Sequence, residues 1–373
     1  MAKSTTGNRA SQARFPLTRR ADGRWCKKIH GQMFYFVGSA DEALEEWLRV
    51  KDHLLADRDP PPRGEYVDVG ELVNQFLHHK KQKIECGELA ERTWGRYEGT
   101  GKMLIEFLGR TTCVANLALE DFQKLRAHMA KRWGPVALGN EIQIVRSIFR
   151  YGRRNGLLDA DPKFGDQFDK PSAKTLRMER AKSGPKLFTA KQIKAVLKLA
   201  RPAMKAMILL GINGGMGNTD VATLTAAAFD LDGGWLDYPR EKTGMPRRIP
   251  LWPETVTAVR NAIKSRVAHK DPEAAELLFI GARGEDYVGR HKGSRVATEF
   301  AGLLKAAKIE GRSFYDLRRT FQTIAEEKSH DLVAVKAIMG HAPAAGDMSA
   351  VYRQRVTDER LRAVADGVRG WLY

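Results

Sequence analysis

The sequence predicts a mainly α-helical protein with small β elements, arranged as a hairpin-and-helix module, a helical bundle and a mixed α/β domain. Three observations predict it. Strand-like runs are short and confined to residues 24–37 and 228–252, whereas apolar residues elsewhere recur every three or four positions. Proline-rich breaks, Asp59-Pro60-Pro61-Pro62 and the stretch from Asp161-Pro162 to Pro185, interrupt that periodicity. A length of 373 residues, 43% of them hydrophobic, allows one to three domains with sizeable cores. The boundaries fall at 1–64, 65–172, a linker over 173–185, and 186–373.

Residues 1–20 are polar and basic without periodicity and read as a disordered arm. Arg24 to Ile29 and Met33 to Val37 flank His30-Gly31-Gln32 as a β-hairpin. Ser39 with Glu42 forms a capping box for a helix striped by Leu44, Trp47, Leu48 and Leu55. Eight basic side chains against one Asp within residues 1–40 suit a strand face presented to DNA through Arg24, Lys27 and Lys28. Four helices follow, carrying Val69, Leu72, Val73 and Phe76; Trp94, Tyr97, Leu104, Phe107 and Leu108; Leu119, Phe122, Leu125 and Met129; and Ile142, Val145, Ile148 and Phe149. The last runs into Arg150, Arg153 and Arg154 before Gly156, giving a basic end suited to phosphates.

The third segment opens with Thr189 as the N-cap of a helix bearing Ile193, Val196, Leu197 and Leu199, then a helix from Pro202 to Ile212. Three strand-like runs follow, Ala228 to Leu231, Trp235 to Tyr238 and Arg248 to Trp252, with Lys242-Thr243-Gly244 in the turn between the last two. Helices resume at Pro253. Phe314, Leu317, Phe321 and Ile324 make one apolar face and leave Arg318 off it; Val333, Val335, Ile338 and Met339 mark a second helix ended by Gly340, with His341 just beyond. Tyr352 lies eleven residues after His341. From Thr357 a terminal helix has a stripe of Leu361, Val364, Val368 and Trp371, a face to set either against another protomer or on its own subunit.

A net charge of +18 and a pI near 9.8 point to a polyanionic partner. The excess is spread through the chain: 12 basic against 8 acidic side chains over 1–64, 20 against 16 over 65–181 and 31 against 21 over 182–373. That distribution suits a protein surrounding double-stranded DNA better than one with a single basic tail. The longest apolar runs, such as Met207 to Leu210, fall far short of the ~20 residues of a membrane helix, and the N-terminus lacks a hydrophobic signal core. Cys26, Cys86 and Cys113 are odd in number and widely spaced, which favours neither a disulfide framework nor a zinc site; a reducing, cytoplasmic, nucleoid-associated setting is expected. The glycines at 211, 214, 215 and 217 lack the preceding strand and the Lys-Ser/Thr of a P-loop, and read instead as a helix-to-helix turn whose amide at Gly217 could approach a phosphate.

The arginine, Gly-His and tyrosine of residues 311–352 resemble the C-terminal boxes of the tyrosine recombinase (phage integrase) family. The four-helix segment is similar to that family's SAM-like core-binding domain. The resemblance implies a tyrosine-recombinase catalytic domain over 186–373 that cuts and rejoins DNA through a 3′-phosphotyrosyl intermediate. Neither metal nor cofactor would take part; the assembly would be a homotetramer on paired DNA sites, formed from free monomers. It assigns Tyr352 as nucleophile, Lys242 as a desolvated proton donor to the leaving oxygen, Arg318 as a phosphate-gripping arginine and His341 as a hydrogen-bond donor to the phosphate, with Arg319 facing DNA. Two positions depart from the family. Gly217 stands where its first catalytic arginine belongs, with the nearby acid kept as Asp220, and Tyr315 stands where histidine is usual; Arg247 or Arg248 is the expected substitute cation. The interval from His341 to Tyr352 is also a couple of residues longer than usual. A binding protein that has lost the chemistry, or a type IB topoisomerase, are the alternatives.

Overall fold

The computed structural model describes residues 15–57, 67–288, 294–344 and 346–373. The predicted proline linker at 59–62 and most of the predicted basic arm lie outside these. The chain divides into two compact units, 1–180 and 181–373.

In the first unit, β1 (Thr18–Arg19), β2 (Trp25–Ile29) and β3 (Gln32–Phe36) form an antiparallel sheet against α1 (Ala40–Leu55). The β2–β3 connection is two residues, His30 and Gly31, both at positive φ, as a turn matching the sheet's twist requires. Residues 15–20 are therefore ordered, not part of the expected disordered arm, because Leu17 is buried with Ile29, Phe36, Trp47 and Leu54. The Ser39–Glu42 capping box forms as the sequence implies.

A separate core holds α2 (Val69–Glu85), α3 (Glu91–Leu108), α4 (Leu119–Arg132) and α5 (Pro135–Arg154) together through Leu72, Phe76, Leu104, Phe122, Ile142 and Phe149. Phe168 is fully buried there, in edge contact with Phe122, so the chain stays with the bundle beyond Asp161-Pro162. The linker itself is largely helical, α6 (Ala173–Ser183), and none of its residues is buried.

The second unit contains α7 (Ala190–Leu199), α8 (Pro202–Asn213), α9 (Asn218–Ala222), the antiparallel sheet β4 (Phe229–Asp230), β5 (Trp235–Asp237) and β6 (Arg248–Pro250), and α10 (Pro253–Lys264). It continues with α11 (Arg295–Ala306), α12 (Tyr315–Ser329), α13 (Leu332–Ile338), α14 (Met348–Tyr352) and α15 (Asp358–Leu372). Met207, Leu210, Ile249, Trp252, Phe314, Phe321 and Ile338 share one core. The stripe of α15 lies on its own subunit: Leu361, Val364 and Val368 are buried in this same core rather than left for another protomer, with Trp371 partly buried against it. Trp252 fixes the helix further, its indole N–H donating to the Ala365 carbonyl at 2.9 Å.

Candidate active site

The glycine turn after α8 positions one side of the site. Gly215 has φ 62°, and a Cβ there would approach the Phe321 ring to 2.8 Å, so only glycine fits. Gly217 is different. Its backbone, φ −89° and ψ 177°, is ordinary extended chain open to any residue. Its N–H donates to Asp220 Oδ2 at 2.7 Å, so this amide is already occupied rather than bare. A Cβ on Gly217 would stand 3.3 Å from that oxygen and 4.0 Å from the Tyr315 ring.

The other side is a helix end. Gly340 N–H bonds the Ala337 carbonyl and His341 N–H the Lys336 carbonyl, each at 3.0 Å, which is the Schellman pattern around a left-handed glycine. That pattern fixes the His341 backbone. Arg318, from α12, is buried and reaches both turns: Nη1 donates to the Gly215 carbonyl, and Nη2 to the Met339 carbonyl at 3.0 Å and His341 Nε2 at 2.8 Å. Arginine only donates, so His341 Nε2 is the acceptor and the ring hydrogen sits on Nδ1. Burial first, then the charges of Arg318 and Arg240, hold the His341 pKa below the ordinary histidine value. Burial and then Arg240 pull the Arg318 pKa down to about 10, which leaves it charged at neutral pH. Much of the Arg318 fork is committed to internal acceptors.

The β5–β6 hairpin separates its two arginines. Arg248 is half-exposed and points outward, paired with Asp237 and Asp358 and stacked 4.1 Å over the Trp235 ring. Arg247 turns inward with no side-chain exposure, donating from Nη2 to Asp220 Oδ1 at 3.3 Å and from Nε to the Tyr238 carbonyl at 3.1 Å. Its Nη1 is buried with no hydrogen-bond partner among the described residues. Arg247 thus fills space beside Asp220, and of the two expected substitutes only it joins the cluster. Arg240, which sequence reasoning passed over, joins it too, donating from Nη1 to the Gly340 carbonyl at 3.4 Å. The signal was its place two residues before Lys242.

The remaining candidates lie around this cluster. Lys242 is solvent-exposed in the hairpin turn rather than desolvated; the adjacent Thr243 hydroxyl ties the turn to the Gly340 carbonyl at 3.0 Å. Tyr315 is exposed at the start of α12 under Arg319, whose guanidinium lies 5.4 Å from the ring and pairs with Asp316 at 2.7 Å. Tyr352 ends α14, 74% exposed, and makes no hydrogen bond to any described residue. Arg150, Arg153 and Arg154 are exposed on the last turns of α5 without ion pairs to described residues, and Lys28 is exposed on β2. Lys27 is instead engaged internally, donating to the Pro16 carbonyl at 2.8 Å and lying over the Trp47 ring, while Arg24 pairs with Asp22 over Tyr35. Among the described residues no His, Cys, Asp and Glu side chains gather as a metal site.

The stretch that holds this buried arginine–histidine pair, residues 186–355, is matched by the family model described as the phage integrase family. Residues 186–355 carry a phage integrase family domain. No curated protein matches the sequence. Among solved structures, the integrase fold is shared with a lambda integrase dimer bound to a COC′ core site, at 13% identity and TM-score 0.58, over 94% of this chain and 99% of that one. A lambda integrase tetramer bound to a Holliday junction matches at 14% identity and TM-score 0.57, covering 93% and 99%. The Tn1549 transposon integrase in complex with circular intermediate DNA matches at 18% and 0.58, covering 80% and 98%. At these identities the likeness is one of fold.

Proposed function

We propose that this integrase-family protein is a site-specific DNA recombinase that cuts and rejoins duplex DNA through Tyr352. The observation that carries the reading is the charge cluster: three guanidiniums, Arg240, Arg247 and Arg318, act on one another beside His341, and one carboxylate, Asp220, pairs with Arg247. Such an excess of positive charge is suited to an anion, and a phosphodiester carries it with the oxygens these donors need.

In the proposed reaction the exposed Tyr352 phenol passes its proton to solvent water and its oxygen attacks phosphorus. The bond to the 5′-oxygen breaks, that oxygen takes a proton from Lys242, and a 3′-phosphotyrosyl ester holds the bond energy for rejoining. Arg318 stabilises the phosphorane, and His341 donates from Nδ1. Arg247 replaces the charge absent at Gly217, acting through space from its buried place beside Asp220. Arg150, Arg153, Arg154, Arg319 and Lys28 bind backbone phosphates. The paired sites and tetramer are part of this proposal.

Tyr352 stands 74% exposed with no hydrogen bond to a described residue, which favours a second reading, a DNA-binding protein without cleavage. A nicked suicide duplex, drawn from a random-sequence pool by affinity for the protein and run on a denaturing gel, separates the two. A covalent adduct with the wild type that Tyr352→Phe abolishes, at unchanged duplex affinity, supports recombination; no adduct on any selected duplex leaves only binding.

A further inference from the structure

Arg240 is placed by backbone geometry that has no connection with core packing. Its N–H bonds the Met245 carbonyl at 2.9 Å, and its carbonyl accepts from Gly244 and Thr243 at 2.8 and 3.0 Å, so it closes the turn that carries Lys242. Its side chain crosses Gly340, where a Cβ would come within 2.9 Å of Arg240 Cβ and 3.2 Å of its Cδ; the glycine at φ 61° makes room for the arginine. The guanidinium ends on the Gly340 carbonyl, one residue along from the Met339 carbonyl that holds Arg318. Two arginines therefore sit on consecutive carbonyls, next to His341.

The two other guanidiniums are committed. Arg247 has no exposed surface, and Arg318 is bound to three internal acceptors. Arg240 is half-exposed, its one side-chain bond is a long 3.4 Å, and it has no carboxylate partner among the described residues. Packing like charges together without a counter-ion costs free energy, and an anion at the exposed end of the cluster offsets it. After burial, the charge of Arg240 does most to lower the Arg318 pKa.

We propose that Arg240 is a further catalytic arginine, swinging from the Gly340 carbonyl to a non-bridging oxygen of the scissile phosphate. This rests on the recombinase reading. Arg240 supplies the accessible part of the clamp, while Arg247, buried behind it, supplies charge that cannot move. The contact forms and breaks no covalent bond: its two N–H groups neutralise charge that builds on the phosphorane oxygens.

The test uses the full chain as wild type, Arg240→Ala, Arg240→Lys and the outward-facing control Arg248→Ala, on a selected nicked duplex. Two versions of the duplex are needed, one with an ordinary scissile phosphate and one with a methylphosphonate, in which a methyl group replaces a charged oxygen. Arg240→Ala should slow adduct formation on the phosphate by about 10²–10³-fold, the loss typical of an oxyanion donor, with Arg240→Lys between it and wild type. On the neutral methylphosphonate the deficit should shrink to less than about tenfold, because no charge remains to be met. Arg248→Ala should act like wild type, and melting temperatures should agree across the set. Arg240→Ala cleaving at the wild-type rate overturns the proposal. So does an equal deficit on both duplexes, which would mark Arg240 as a prop for the Gly340 turn. If the wild type forms no adduct on any duplex, the recombinase reading fails and takes this proposal with it; an adduct with the wild type and no effect at Arg240 leaves that reading standing.

Discussion

Restoring the family's arginine at Gly217 should rescue a protein that has lost Arg247. Arg247→Ala removes the guanidinium paired with Asp220, and breaking a buried pair from one side costs about 3 kcal/mol or more, or roughly 10 °C in melting temperature for a unit of this size. It should also cut adduct formation by ~10²–10³-fold. Gly217→Arg is permitted by the backbone, since φ −89° and ψ 177° suit any residue. Its Cβ would meet only the Asp220 carboxylate, at 3.3 Å, and the edge of Tyr315, at 4.0 Å; the first is the end of a side chain and can give by a few tenths of an ångström. The new arginine rises beside the carboxylate that Arg247 leaves behind, so the double variant should recover most of the lost stability and cleave within about tenfold of wild type. In the wild-type background the same substitution sets two guanidiniums against one carboxylate and should gain little. Suicide-substrate kinetics and thermal melts on the four proteins decide it. A double variant no better than Arg247→Ala in both measurements refutes the idea that these positions share one place in the site.

Three further outcomes follow from the geometry. Because the His341 pKa is held below the ordinary histidine value, the folded protein resists a proton that the unfolded chain accepts; stability contributed by His341 is present above the ordinary value and lost as pH falls through the depressed one, and the acid limb of adduct formation, absent in His341→Ala, should lie below the ordinary value too. Deleting residues 357–373 should abolish folding of the second unit rather than spare single-site binding, since Leu361, Val364, Val368 and Leu372 at ~1.5–3 kcal/mol each rival the ~5–15 kcal/mol of a whole domain; a native circular-dichroism melt from the truncated chain counts against this. Duplex affinity should fall by ~10³–10⁵ between 50 and 200 mM salt if ~6–10 phosphates are met, and a flat plot of affinity against salt would remove DNA as the partner.

The periodic features were legible because periodicity is a local property. The stripes of α2 to α5, the capping boxes at Ser39 and Thr189, and the Gly340 helix end each depend on residues within a turn or two of one another. What the stripes could not reveal is the surface they meet. The face of α15 reads equally as an interface or as core, and only the folded chain brings Trp252 and α12 against it. The third strand escaped for a similar reason: Thr18–Arg19 is too short for a pattern and is held by pairing with Cys26 and Trp25.

The choice between Arg247 and Arg248 shows the limit most clearly. Adjacent residues on a strand face opposite ways, so one of the pair had to turn inward, but which one depends on register. Pairing of Arg248 with Asp237 on β5 puts its side chain on the outer face with Asp358, and that alone sends Arg247 to Asp220. Gly217 then takes on a different meaning. A site needs positive charge at a point in space, not at a position in sequence, and Asp220 is the fixed member that any such charge must satisfy. With Arg247 arriving from the hairpin, an arginine at 217 would be a second cation for the same carboxylate, in a cluster where Arg240 and Arg318 already repel each other. On the proposed reading, the hairpin arginine carries the charge that the family pattern places at 217, so Asp220 keeps a guanidinium partner although position 217 is glycine.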